Sequence, residues 1–404
     1  MFQSLNSQSL SVLWRSALVK LPRVVPTQVL YWTDPEGPYP IIIDLPSRGK
    51  HTIPVYAFIR RDLTPCEVEN LPVVIDFHGG GFVLGSCLEQ APFCSMMARE
   101  LNAVVLSVDY RMGPVHKFPT AVEDAEDVLR SVLEANSKAG VALRQAIRNK
   151  VKENLAAIRK AERKEERKEE RKVARSSSKP SSGRSSPAPS KSSSRHTTPD
   201  TTPITVDLDP SRIAISGFSS GGNLALNLAI SISNPPHEEN WSSVFADNYQ
   251  TPIPLLLYYP SFDSRQLPSE RTMPKDLPPS SQFWSETSDI LMPAYLPREQ
   301  AGHPRASPGL ADIEGLHKMA RMLLILPGLD SLAEQSETWV TKVGEDGRGH
   351  DLRVERYPDM RHGWTQMPDG WLNEREKETK LDIYNTTMEF TRSIWGGDHT
   401  VLHG

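Results

Sequence analysis

Ser219 stands at the centre of Gly217-Phe218-Ser219-Ser220-Gly221. A serine hydroxyl is a weak nucleophile until a base takes its proton and a third group orients that base. A Gly-x-Ser-x-Gly pattern alone recurs by chance in a chain rich in Ser and Gly, so its flanks decide its meaning. Ile213 to Ile215 is a short β-branched run that reads as a buried strand, and Leu224 to Ile230 is helix-forming material without Gly or Pro. A sharp strand–turn–helix junction holds its central residue strained and exposed, and the glycines spare the turn a clash. The start of the helix also points free N–H groups and a positive dipole end at whatever binds beside Ser219. That is the chemistry of an activated nucleophile.

The partners such a serine needs follow other apolar runs. Leu71 to Phe77 reads as a buried strand and leads directly into His78-Gly79-Gly80-Gly81-Phe82. Three successive glycines are entropically costly, and they bring backbone N–H groups close to a ligand atom without Cβ interference. The N–H groups of Gly80 and Gly81, with that of Ser220, are therefore the expected receivers of a developing oxyanion. Asp330 follows the run Met322 to Leu326, and His362 follows the run Leu352 to Tyr357. Catalytic groups of an open α/β sheet sit at the carboxyl ends of strands. The chain order Ser…Asp…His is the order of the α/β-hydrolases. His362 is expected to take the Ser219 proton, and Asp330 to fix the imidazole tautomer. Asp351, Asp359, His350 and His78 are weaker rivals. Asp351 precedes its strand, Asp359 shares the loop of His362, His350 follows a Gly-Arg-Gly loop, and His78 opens the glycine turn. No metal-ligand cluster or nucleotide-binding glycine pattern accompanies these residues, so no cofactor or metal is expected.

The elements that must carry these groups alternate along the chain. Ile41 to Ile43 and Ile53 to Ile59 read as strands of a meander, and Ala103 to Val108 as another strand. Ala121 to Leu133 reads as an amphipathic helix, Ile253 to Tyr259 as a strand, and the stretch after Leu332 as a helix to about Val343. Strands alternating with helices imply a mostly parallel sheet covered on both faces. Asp109 and Arg111 are expected to anchor their loop by ionic hydrogen bonds. Residues 260–310 are rich in Pro and aromatics, with Phe283-Trp284 placed to line an apolar pocket. Residues 1–34 carry an apolar stripe (Leu10, Leu13, Trp14, Leu18, Leu21) and no acid before Asp34, which reads as a basic amphipathic helix on the domain. Contact of that helix with a membrane surface is the alternative.

Composition bounds the rest. Three cysteines without metal spacing favour a reducing compartment and cytoplasmic residence over a disulfide framework. No run of eighteen apolar residues is present, so no membrane-spanning helix is expected. Between Lys138 and Arg195 eighteen Lys/Arg stand against six Glu, a local charge of +12, so the remainder of this −4 chain carries about −16. Repeats of Glu-Arg-Lys-Glu type at Glu162 to Lys172 can be helical, although their period of four stacks like charges at i, i+4. Ser176 to Pro203 is Ser/Pro/Thr-rich and is expected to be disordered. Residues 138–205 are thus expected to be a largely disordered, solvated insertion. Contact with nucleic acid or acidic membrane is a minor alternative, and no nucleic-acid partner is expected.

His78-Gly79-Gly80-Gly81-Phe82, Asp109-Tyr110-Arg111, His116-Lys117-Phe118-Pro119, Ile215 to Ala225, Ala306-Ser307-Pro308 and His362-Gly363 together resemble the hormone-sensitive-lipase-like branch of the α/β-hydrolases. The resemblance covers most of residues 70–395 outside the insertion. It implies an eight-stranded, mostly parallel sheet with helices on both faces and a helical cap. It implies hydrolysis of small-molecule acyl esters, or sometimes deacetylation of amides. The expected organisation is a cap segment at 1–40, a first core part at 41–137, the insertion at 138–205, and a second core part at 206–404 with more cap at about 260–305. The family usually has Asp-Ser-Ala where this chain has Phe218-Ser219-Ser220. That exchange is expected to make the wall beside the nucleophile more apolar, with Phe82, Phe218 and Trp284 as candidate substrate contacts. Some members of the family are binding proteins that have lost the histidine; His362 is kept here.

Overall fold

The computed structural model describes residues 35–64, 66–177, 205–232, 240–275 and 279–397. The expected N-terminal helix over 1–34 and nearly all of the Ser/Pro/Thr-rich stretch lie outside these residues. Eight strands form one sheet: β1 Ile41–Pro46, β2 Thr52–Phe58, β3 Leu71–Phe77, β4 Val104–Val108, β5 Leu208–Phe218, β6 Ile253–Tyr258, β7 Ala320–Leu329 and β8 Leu352–Arg361. Their spatial order is β1-β2-β4-β3-β5-β6-β7-β8. β1/β2 and β2/β4 pair antiparallel, and every other pair is parallel. The central strands β3, β4 and β6 are buried along their whole length, which is why they read as unbroken apolar runs rather than alternating ones.

Among the described residues seven α-helices accompany the strands: α1 Ala91–Glu100, α2 Thr120–Leu133, α3 Lys138–Ser177, α4 Ser220–Leu228, α5 Pro279–Tyr295, α6 Ala333–Glu345 and α7 Glu374–Gly396. Side-chain parity along the strands divides the core into two layers. Ile213 and Ile215 of β5 join the layer with α2, α4 and α6, whereas Ala214 and Phe218 join the layer with α1 and α7. The sheet is therefore covered on both faces, as a parallel sheet must be. Arg111 anchors its loop as expected, with Nε 3.0 Å from Asp124 and Nη2 3.0 Å from Glu123 on α2.

The basic segment departs from expectation. Its first forty residues are one helix, α3, which the helical reading of its repeats allows and the reading of a largely disordered insertion over 138–205 does not. Leu143, Ile147, Val151 and Leu155 recur every four residues and are buried against the core, so the root of α3 has an apolar face that the charge count obscures. Arg144 fastens this root. Its guanidinium donates to the carbonyls of Ser131 and Val132 at the end of α2, at 3.0 and 2.9 Å, and pairs with Asp207 at 3.0 Å. From Arg159 to Lys172 every residue is exposed.

Candidate active site

Strand β5 ends at Phe218, helix α4 begins at Ser220, and Ser219 is the single residue between them. Its φ of +54° and ψ of −115° lie outside the regions a side-chain-bearing residue normally occupies. The strain is held by backbone bonds. Ser219 N–H donates to the Tyr258 carbonyl at 2.9 Å, and its own carbonyl accepts from Asn223 and Ser261, each at 3.2 Å. The glycines of the motif are required by contact. A Cβ on Gly221 would lie 2.0 Å from the Phe77 carbonyl oxygen, and one on Gly217 would lie 2.1 Å from that of Gly221. The turn presses directly on the end of β3, which sets the distance between the serine and the glycine loop that follows β3.

Asp330 follows β7, and His362 follows β8, each at a strand's carboxyl end. The imidazole Nε2 lies 3.0 Å from Ser219 Oγ, and Nδ1 lies 2.7 Å from Asp330 Oδ2. Asp330 is buried, and its other oxygen accepts the Leu332 N–H at 2.8 Å, which fixes the carboxylate's plane. The edge of the Tyr259 ring meets His362 at 4.8 Å, and the Tyr259 hydroxyl is tied to Thr365 Oγ1 at 2.5 Å. The rivals are occupied elsewhere. Asp351 pairs with Arg321 and Arg348, Asp359 pairs with Arg375, and His350 is exposed beside Asp351.

The glycine loop turns back on itself: the Gly80 carbonyl accepts from Val83 at 3.1 Å and from Leu84 at 2.8 Å. Gly80 has φ +120°, and a Cβ there would sit 2.2 Å from the Leu84 oxygen. Among the described residues, the N–H groups of Gly80, Gly81 and Ser220 have no acceptor, an arrangement that suits an anion placed between them. His78 supports the loop from below. Its Nδ1 donates to the Gly79 carbonyl at 2.8 Å, its ring stacks on Tyr110 at 4.4 Å, and the Tyr110 hydroxyl donates to the His78 carbonyl at 2.8 Å. His78, Cys87 and Asp109 bring their ligand atoms within 4.8 Å of one another, the one such grouping among the described residues. Helix α5 lies over the loop, with Met292 3.7 Å from where a Gly81 Cβ would be.

The three expected aromatic contacts fare differently. Phe218 is 0% exposed and packs in the α1/α7 layer, stacked on Tyr258 at 4.3 Å and edge-on to Phe93 at 5.2 Å. It therefore adds nothing to a substrate wall, which corrects the expectation. Phe82 is buried too, with its ring stacked at 4.7 Å on Tyr295 at the end of α5, where it clamps the loop to the cap. Trp284 lies on α5, and its side chain is outside the described residues.

Three site-supporting residues escape sequence reading. Gln335 of α6 accepts from the Phe262 and Asp263 N–H groups at 2.8 and 2.7 Å, holding the loop after β6. Gln366 packs against Gly79, where a Cβ would meet its Oε1 at 2.9 Å. Asp76 of β3, fully buried, accepts from Ser216 Oγ at 2.5 Å and from Ser107 Oγ at 3.2 Å, and so bridges the strand before the glycine loop and the strand before Ser219. Burial raises its carboxyl to about 6, against the opposing pull of the Ser216, Cys94 and Ser107 donors. A lone Asp in an apolar strand is the only hint of this that the sequence carries.

Residues 74–366 match the alpha/beta hydrolase fold family. Among characterised sequences, the chain is 38% identical over 89 residues to Probable carboxylesterase 8 of Arabidopsis thaliana, covering 21% of this chain and 26% of that one. It is 44% identical over 72 residues to Esterase LipI of Mycobacterium tuberculosis, covering 18% and 22%. These aligned stretches span about a quarter of the relatives' length. An esterase of Pyrobaculum calidifontis has the same fold, with a TM-score of 0.58 and 22% identity over 96% of this chain and 97% of that one. With the glycine loop, the strained serine turn and the eight-stranded sheet in place, this chain belongs to the hormone-sensitive-lipase-like branch of the alpha/beta hydrolase family.

Proposed function

We propose that this protein is a serine carboxylesterase that cleaves a moderately hydrophobic acyl ester through an acyl-enzyme intermediate. The observation that carries the reading is the continuous relay Ser219 Oγ–His362 Nε2–His362 Nδ1–Asp330, at 3.0 and 2.7 Å. With the Nδ1 proton held by Asp330, Nε2 has its lone pair free for the Ser219 proton. Ser219 Oγ attacks the ester carbonyl carbon as His362 takes the proton, and the Gly80, Gly81 and Ser220 N–H groups receive the negative oxygen. The imidazolium then protonates the departing alkoxide, leaving the acyl group on Ser219. Water, deprotonated by His362, releases the acid and restores the serine. Each oxyanion donor contributes about 2.7–4 kcal/mol to the transition state in comparable sites.

A fluorophosphonate probe tests the reading. It is expected to label the intact protein and to fail on Ser219→Ala and on protein pre-treated with a slow ester substrate. Absence of labelling on folded protein, or labelling that survives Ser219→Ala, overturns it, and the first of these results would favour a binding protein on the same fold.

A further inference from the structure

Helix α3 is held at its root, and among the described residues nothing packs on its outer half. The last buried apolar residue is Leu155, and residues 156–177 continue as helix, on the order of 33 Å of it. Among the described residues no side chain from the domain packs on Arg159 to Lys172, all of which are exposed. A free helical arm without an apolar face has no reason to persist on hydrophobic grounds; its charges are what it presents.

Those charges are sorted by the helix. The repeat Glu-Arg-Lys-Glu is four residues long, and with 3.6 residues per turn each repeat advances only about 40° around the axis. Glu162, Glu165, Glu166, Glu169 and Glu170 therefore fall on one side. Lys160, Arg163, Lys164, Arg167, Lys168 and Arg171 fall on the other, across roughly half the circumference. Ion pairs lie at the border between the two faces: Lys168 with Glu165 at 2.6 Å, and Lys172 with Glu169 at 2.9 Å. The like-charge stacking at i, i+4 that weakens the isolated helix is what builds the continuous basic face.

We propose that this basic face docks the protein on an anionic phospholipid surface. Charge complementarity selects an anionic partner, and the acidic face selects its shape. A flat membrane meets one side of the helix and leaves the glutamates turned to water. A nucleic-acid groove has phosphates on both walls, so one wall would face the glutamates. The face also lacks the Asn, Gln and aromatic groups that read bases. Having no apolar side to insert, the arm binds through electrostatics alone and is released by salt. The inference goes beyond the esterase reading and does not rest on it.

The test is sedimentation of the full chain with vesicles of phosphatidylcholine alone or phosphatidylcholine with phosphatidylserine, at low and high salt. Binding to the anionic vesicles is expected at low salt, at least about tenfold tighter than to the neutral ones, and lost at high salt. The neutralised variant Lys164→Gln, Arg167→Gln, Lys168→Gln and Arg171→Gln is expected to lose about tenfold or more in affinity. The conservative Arg167→Lys and Arg171→Lys variant is expected to keep it. Far-UV circular dichroism and turnover of a soluble aryl ester should be unchanged in both. Equal binding to neutral vesicles, retained binding by the neutralised variant, or tighter binding to a duplex DNA or RNA fragment than to the anionic vesicles at equal salt overturns the proposal.

Discussion

Phe218 adjoins Ser219 in sequence and lies among the aromatic rings of the α1/α7 layer in space. In β5 every second side chain faces the same way, so Phe218 shares the side of Ala214 and Ser216 and closes against Phe93, Tyr258 and Tyr259. Phe218→Asp, the residue usual in the family, should therefore destabilise the fold by at least about 3 kcal/mol, since it removes a buried ring and strands a carboxyl. Denaturant unfolding checks this; a variant as stable as the parent would mean that the ring is not part of the core. The Ser219–His362–Asp330 grouping is legible in the sequence because each residue follows an apolar strand run, in the chain order of the α/β-hydrolases. Phe218 reads as a substrate contact because it adjoins Ser219, although period-two alternation along β5 turns it with Ala214 into the core layer. The Asp76 network is not legible, because its donors come from β4, β5 and α1, far apart in the chain.

At the scale of elements, the strands read most clearly. β3 covers the expected run, and β7 and β8 extend theirs by a few residues into the loops that carry Asp330 and His362. Helix α7 escapes the sequence reading although it advertises both ends: Asn373 and Glu376 form a reciprocal cap, and Gly397 closes the other end with φ +80°. Helix α3 is only half legible, because its charges dominate the composition while four apolar residues decide its docking. Ile147→Ala in that root should cost about 2–5 kcal/mol of stability by leaving a cavity. Arg163→Ala in the free half should stay within about 0.5 kcal/mol of the parent. Paired denaturation curves distinguish the two; a large effect at Arg163 would show that the arm packs on the domain.

For the molecule as a whole, Asp76 links stability to pH. Its carboxyl titrates at about 6 in the fold, against 3.8 for an exposed aspartate. Between those values the folded chain holds a proton that the unfolded chain has released. Its contribution is thus most favourable in acid, falls as pH rises through that window, and is level above about 6. Asp76→Asn removes this dependence, so relative to the parent the variant should gain stability between about pH 4 and pH 7, by up to a few kcal/mol. Urea unfolding at both pH values measures the difference, and a constant offset would place the ionised carboxylate among partners strong enough to cancel its burial.

Gly221 lying on the Phe77 carbonyl leaves no room for a side chain between the serine turn and the strand that leads into the glycine loop, and Gly80 lying on the Leu84 carbonyl leaves none within that loop. Nothing there can be shortened, lengthened or swapped to retune the spacing of Ser219 and the glycine loop. On the proposed esterase reading, what lies over the glycine loop is the part left to tune, and a search for altered selectivity should randomise Met292 of α5 and its neighbours first.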